Sequence, residues 1–390
     1  MPARTPWRSR VRLIALLLLL LVVTTIAACH QDRTVAPGYH EYAYISNGKS
    51  NSVSVIDLLQ LRNVKTISVG GAPTGVAANP TRNEIYVVNA DSNNVSIIDA
   101  ERNQVVATIG VHAKPYYVSV SSDGKRAYVA NSGSANVSVI DLAKRAVIAT
   151  IRVGGGPGMV KVSTDGKLVV SSNRADDSIS IIDAEKLAVR TTVKVCSQPQ
   201  YLAIVPDNSK VFVACPGSNQ VAAVDLKSGR LLAYLDVGQL PVQLALKPDG
   251  GELFVSNFNS NSFSIIETGT NEVGGSYLIG DNPSHGIVTS DNTLLYMSNF
   301  GSGTVSVYAI DEGRVIGAVQ VGNHPDALAL TPDEAHLLVV DSGSGDVAVV
   351  RTVKTRDNSK ISADRALVTL IPVGNQPNDI VIKAFKTSGH

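Results

Sequence analysis

His285, His324, Asp326 and Asp379 carry the imidazole and carboxylate groups from which divalent-metal and proton-transfer sites are built. Each lies within two residues of a proline: Pro283, Pro325 or Pro377. Tyr117 and Tyr201 hold the same place after Pro115 and Pro199, and Phe258 and Phe300 each follow an asparagine. Aromatic faces beside imidazoles and carboxylates make a candidate surface for a ligand or a partner. Cys196 and Cys215 are a third kind of group. With Cys29 set aside they are the remaining pair, and outside the cytoplasm they are expected to form a disulfide. Their spacing is not that of a Cys-x-x-Cys redox motif. Lys161 is expected to project into a central channel, whereas His112 reads as a solvated loop residue. The glycine-rich run Gly154–Gly158 has no helix after it to favour a phosphate. No Ser/His/Asp or paired-carboxylate constellation has usable spacing.

These residues are ordered by an internal repeat. An aromatic or aliphatic residue, a short apolar run and an asparagine recur from Tyr44–Asn47 and Tyr86–Asn89 to Tyr296–Asn299, every 42 residues. Cys215 and Asp341 stand where that asparagine is expected. A string such as Val53–Asp57 or Val95–Asp99 follows nine residues after each start, and a proline recurs from Pro73 to Pro377. The last gap between prolines is 52, which places a ten-residue insertion near Thr355–Asp364.

Each repeat contains four Val/Ile/Tyr-rich stretches of strand length, separated by Asp-Gly turns or Asn/Ser/Gly clusters, with no sustained helical periodicity. Four-stranded units at this period predict an all-β chain, a β-propeller of four-stranded antiparallel blades. The count is eight blades, with seven as the alternative if one repeat is splayed out. The first inner strand falls at Gly75 and the last near Ile380. The C-terminal strand is therefore expected to complete the first blade and close the ring, leaving no exposed edges. The second residue after each proline should face the channel mouth: Gly75, Tyr117, Met159, Tyr201, Gln243, His285, Ala327 and Asp379.

The Tyr-Val-x-Asn and Val-Ser-Val-Ile-Asp strings are similar to the YVTN β-propeller repeat family, which includes bacterial surface and periplasmic proteins. That resemblance implies the fold and carries no invariant catalytic motif. The signature asparagine reads as a cap on the strand-end turn. The repeat also looks broadly like lactonase-type propellers and the haem-carrying propeller of nitrite reductases, a fold-level likeness.

Residues 1–28 read as a secretory signal. Arg4, Arg8, Arg10 and Arg12 precede an apolar run, and Ile26-Ala27-Ala28 leads into Cys29. The pattern resembles a bacterial lipobox. It implies lipidation at Cys29, a tether over 29–41, a propeller over 42–386 and a tail over 387–390. By the same resemblance His30 favours outer-membrane sorting, periplasmic or surface facing, with membrane contact through the lipid only. The formal net charge of +1 becomes −3 (30 basic against 33 acidic residues) once the leader is removed. A near-neutral exported chain has no electrostatic footprint for nucleic acid.

The expected function is a non-catalytic platform for a protein, peptide or glycan partner on the proline face, centred on Tyr117, Tyr201, Phe258, His285, Phe300, His324, Asp326 and Asp379. No cofactor is predicted. The alternative is an enzyme or cofactor carrier at the channel mouth, a lactonase-like hydrolase or a metal- or haem-binding propeller, with His285, His324, Asp326 and Asp379 as the metal candidates.

Overall fold

The computed structural model describes residues 36–352 and 366–387. Cys29, the leader, most of the tether and the insertion near 355–364 lie outside the described residues. Residues 40–385 form one compact unit. In the terminal segments, the Thr387 N–H donates to the Gly38 carbonyl at 2.9 Å. Among the described residues no helix is long and apolar enough to cross a membrane.

The described residues form eight four-stranded antiparallel sheets, arranged as an eight-bladed β-propeller. The second blade shows the pattern: Pro73–Ala78 innermost, then Glu84–Asn89, Asn94–Asp99 and Gln104–Gly110. The first blade is split. Its inner strand, Pro377–Lys386, pairs with Tyr39–Asn47. Ile380 shares one apolar cluster with Ile45 and, from the eighth blade, Leu338. The tail thus closes the ring.

Blades pack face to face, so the middle strands bury both faces. Val95, Ile97 and Ile98 have no exposed surface. This explains the continuous apolar runs where a one-sided sheet would alternate. The outermost strands do alternate, as Ala188–Lys194 shows. The core is accordingly a ring of clusters bridging neighbouring blades, such as Val139, Val169 and Ile182 beside Tyr128.

The signature asparagine does more than cap a turn. Asn47, Asn89, Asn131, Asn173, Asn257 and Asn299 are fully buried. Each donates from Nδ2 to side chains five and seven residues later, as Asn131 does to Asn136 (2.7 Å) and Ser138 (2.9 Å). The glycine of the Gly-x-x-Pro loop that leads into the same blade lies against it: a Cβ on Gly154 would stand 2.8 Å from the Asn173 Cβ. At Cys196 and Cys215 the same contact is a disulfide, with Cα atoms 5.6 Å apart.

The loop into each inner strand has a fixed turn. The residue before the proline has a positive φ in all eight repeats, from Ala72 (50°) to Gln376 (51°). In five of them a side chain from the preceding blade accepts its N–H. Asn93 accepts the Lys114 N–H at 2.9 Å, and Asp177 accepts the Gln198 N–H at 2.8 Å. This turn aims the inner strands.

Candidate functional site at the channel mouth

Just after the proline, six inner strands carry a register shift against their neighbour, as where Pro115 faces Asn131 but Tyr117 faces Ala130. Such a bulge re-aims a side chain. The second residue after the proline reaches the mouth in most of these strands, in the unshifted strand of Tyr201 and in the closing strand of Asp379: Tyr117, Met159, Tyr201, Gln243, His285, Ala327 and Asp379 all line one cavity of about 760 Å³. Its volume is in the range of small-molecule sites. Phe258, Phe300 and Tyr116 add aromatic wall, and Asp326 adds a second carboxylate.

His285 on the seventh blade and Asp326 on the eighth meet at 2.7 Å, Nδ1 to Oδ1. The Ser298 hydroxyl donates to the Asp326 carbonyl at 2.8 Å, and the Ser284 hydroxyl to the Pro325 carbonyl at 3.1 Å. These serines tie the strand carrying the carboxylate to the blade carrying the imidazole. With Nδ1 engaged, Nε2 is the ring nitrogen left for the cavity, and about a third of the side-chain surface is accessible.

The site is electrostatically coupled. Burial opposes charge on His285, but the charge and hydrogen bond of Asp326, with a contribution from Asp379, raise its pKa above the usual imidazole value. Burial works against ionisation of Asp326 too, yet His285 and a hydrogen bond from Ser284 hold its pKa below the usual carboxylate value. Asp379 is pushed up to about 6, chiefly by burial. It accepts the Val76 and Ile380 N–H groups at 3.0 and 2.9 Å. Burial raises Tyr117, and Tyr201 to about 12, and both feel Asp379. The two phenols therefore stay protonated as neutral donors. Groups with pKa values driven apart in one cleft are the ordinary substrate of acid–base chemistry.

The other expected residues stand as follows. His324 lies beside the cavity, stacked on Phe300 with ring centroids 4.4 Å apart and planes at 4°. It is the positive-φ residue before Pro325. Phe258 and Phe300 are half-buried neighbours at 5.8 Å. Among the described residues no three His, Cys, Asp or Glu side chains converge as a metal-ligand set. Lys161 is exposed to solvent, and the crowding around it lowers its ammonium pKa. His112 is exposed and contacts Thr150 at 3.1 Å. Tyr116, Ser284 and Ser298 were missed by sequence reasoning. The bulge explains Tyr116, since one extra residue per strand lets the first position after the proline reach the mouth as well. The serines sit in ordinary strand positions and carry no local signal.

Residues 79–211 match the family model described as the cytochrome D1 heme domain, and residues 281–366 match that described as the seven-bladed β-propeller lactonase. The first segment holds Tyr117, Met159 and Tyr201, and the second His285 and Asp326. No curated protein matches. Among solved structures, the dihydro-heme d1 dehydrogenase NirN in complex with DHE is 13% identical, covering 90% of this chain and 77% of that one, with a TM-score of 0.74. Hydrazine synthase from Kuenenia stuttgartiensis is 21% identical over 72% of this chain and 96% of that one, TM-score 0.60. A protein of unknown function from Desulfotomaculum acetoxidans is 17% identical, covering 76% and 98%, TM-score 0.60. The chain is a β-propeller. At these identities the structural likeness concerns the fold alone.

Haem chemistry can be tested against the lining. His285, with Nδ1 held by a carboxylate, has the second-shell arrangement of a metal-binding imidazole. A haem also brings carboxylates. No Lys or Arg lines the cavity, and two Asp side chains do. The charge of the lining does not fit that group.

Proposed function

We propose that the propeller is an enzyme working on a small molecule in the mouth cavity, with His285 as the acid–base group. The observation that carries this reading is the 2.7 Å His285–Asp326 contact at the wall of a cavity of small-molecule size. Asp326 fixes the ring and balances the imidazolium. Nε2 takes a proton from a water, the oxygen of that water adds to an ester or lactone carbonyl, and the phenol of Tyr117 or Tyr201 donates to the developing oxyanion. The acyl C–O bond then breaks, and the proton on His285 passes to the leaving alkoxide. The lactonase-type match over 281–366 supports this reaction class. The platform for a protein, peptide or glycan is less well supported, because the aromatics form cavity wall and one another's neighbours, not a flat apolar patch.

A panel of aryl esters and lactones tests the proposal. Turnover by the wild-type chain, lost by about a hundredfold or more in His285→Ala, is the expected result. Turnover unchanged by that substitution would discard it.

The same proposal places the chain in the cell envelope, as a YVTN-type lipoprotein attached through Cys29. The basic-then-apolar start and the Cys196–Cys215 disulfide support an oxidising compartment. Metabolic labelling with a fatty acid is expected to mark the wild type and not Cys29→Ala. Equal labelling of both would remove the anchor.

A further inference from the structure

We infer that the mouth cavity selects an organic cation, an ammonium group carried on a small molecule. This rests on the reading of the cavity as a working site and names the substrate class. Asp326 is already balanced by His285. Asp379 is not: its oxygens accept two backbone N–H groups, and it makes no ion pair among the described residues. His285 acts on Asp379 only through space, and a carboxylate set in a desolvated wall without an ion-pair partner of its own favours a ligand that brings one.

The remaining wall suits the same guest. Tyr117, Tyr201, Phe258 and Phe300 line the cavity, and aromatic rings attract an ammonium group through the ring quadrupole. No Lys or Arg in the lining competes for Asp379, and the one lining group that can carry positive charge, His285, is paired with Asp326. An anionic ligand would meet two carboxylates and neither Lys nor Arg. A neutral molecule would gain the aromatic contact and leave the carboxylate uncompensated. The raised pKa of Asp379 has the direction expected of an acid waiting for a positive partner.

Isothermal titration of the full chain with choline and with its neutral isostere, 3,3-dimethylbutan-1-ol, separates charge from shape. Choline is expected to bind about tenfold or more tightly than the alcohol, equivalent to about 1.4 kcal/mol. Asp379→Asn should erase that preference. Because Asp379 also accepts two backbone hydrogen bonds, a second variant, Phe300→Leu, keeps the answer independent of that strand's integrity. It should reduce the preference by about threefold through loss of a π-face. Equal binding of the two probes, a preference that survives Asp379→Asn in a folded chain, or no choline binding would each overturn the inference. Equal binding with His285-dependent ester turnover intact would sink the cation class alone. Choline selectivity without turnover would support it and sink the hydrolytic reading.

Discussion

His285 and Asp326 are 41 positions apart, one short of the repeat, and meet across the seventh and eighth blades at 2.7 Å. Each comes from a position that other blades fill with unrelated residues. The pair is therefore a local departure from a regular scaffold, held by Ser284 and Ser298. In a repeat protein such departures are where function is most economically placed.

The His285 titration follows from this contact. Its folded pKa is raised, so the pair contributes stability that is fully present below the unfolded imidazole value and is lost as pH rises through the folded one. A ring-proton NMR titration should give a midpoint above 6.5, and Asp326→Asn should move it down. The substitution should also remove the stability change over that window.

Asp341 and Asp346 form a second pair, with a different consequence. They stand directly opposite each other across a hairpin, where six other blades place Asn opposite Ser, Asn or Thr and one places Cys215 opposite Gln220. Asp341 is fully buried. Burial, reinforced by Asp346, raises its pKa to about 8. A raised carboxyl pKa makes the folded state bind the extra proton, so stability is greatest in acid and falls between the unfolded carboxylate value and about pH 8. Asp341→Asn restores the amide donor of the other blades. Thermal melts should show the variant more stable than wild type above pH 8, by about 1–3 kcal/mol, and a smaller difference near pH 4.

The disulfide replaces a contact that glycine and asparagine make elsewhere in the ring. Cys196→Ala with Cys215→Ala removes the cross-link over 19 residues of sequence separation. The expected cost is about 3 kcal/mol in urea unfolding of the oxidised protein. A reductant should lower the wild type to the level of the variant and leave the variant unchanged.

Ring closure has its own tight point. A Cβ on Gly374 would lie 2.6–2.8 Å from the buried Asn47 side chain. Gly374→Ala should therefore destabilise the chain by about 1–3 kcal/mol through forced repacking where the tail joins the first blade. A Cβ on Gly110 would meet nothing within 4 Å, so Gly110→Ala is the matched control and should be close to neutral.

Much of this architecture is legible from the repeat alone. A strict period assigns equivalent roles to residues far apart in sequence, so the inner strands, the closing tail and the residues facing the mouth follow from one alignment of the chain with itself. The side chains that needed three dimensions are those whose partner lies on another blade. His324 occupies a loop slot like its repeat equivalents, and nothing local marks its stacking on Phe300. Asp326 stands one residue after its proline, and its reach to His285 depends on the bulge and on two ordinary-looking serines. Asp341 is visible as a departure from asparagine. Its opposition to Asp346 was available from the register five residues on, but its pKa depends on burial between blades.

The pH–rate profile of kcat/KM, measured on the fastest ester or lactone of the panel for wild type, Asp326→Asn and His285→Ala, tests the central claim most directly. A rate that climbs as the imidazole loses its proton, with the midpoint above 6.5 in wild type, lower in Asp326→Asn and absent in His285→Ala, is the predicted result. Coincident profiles for the three proteins would contradict the account and move the chemistry away from the mouth of the ring.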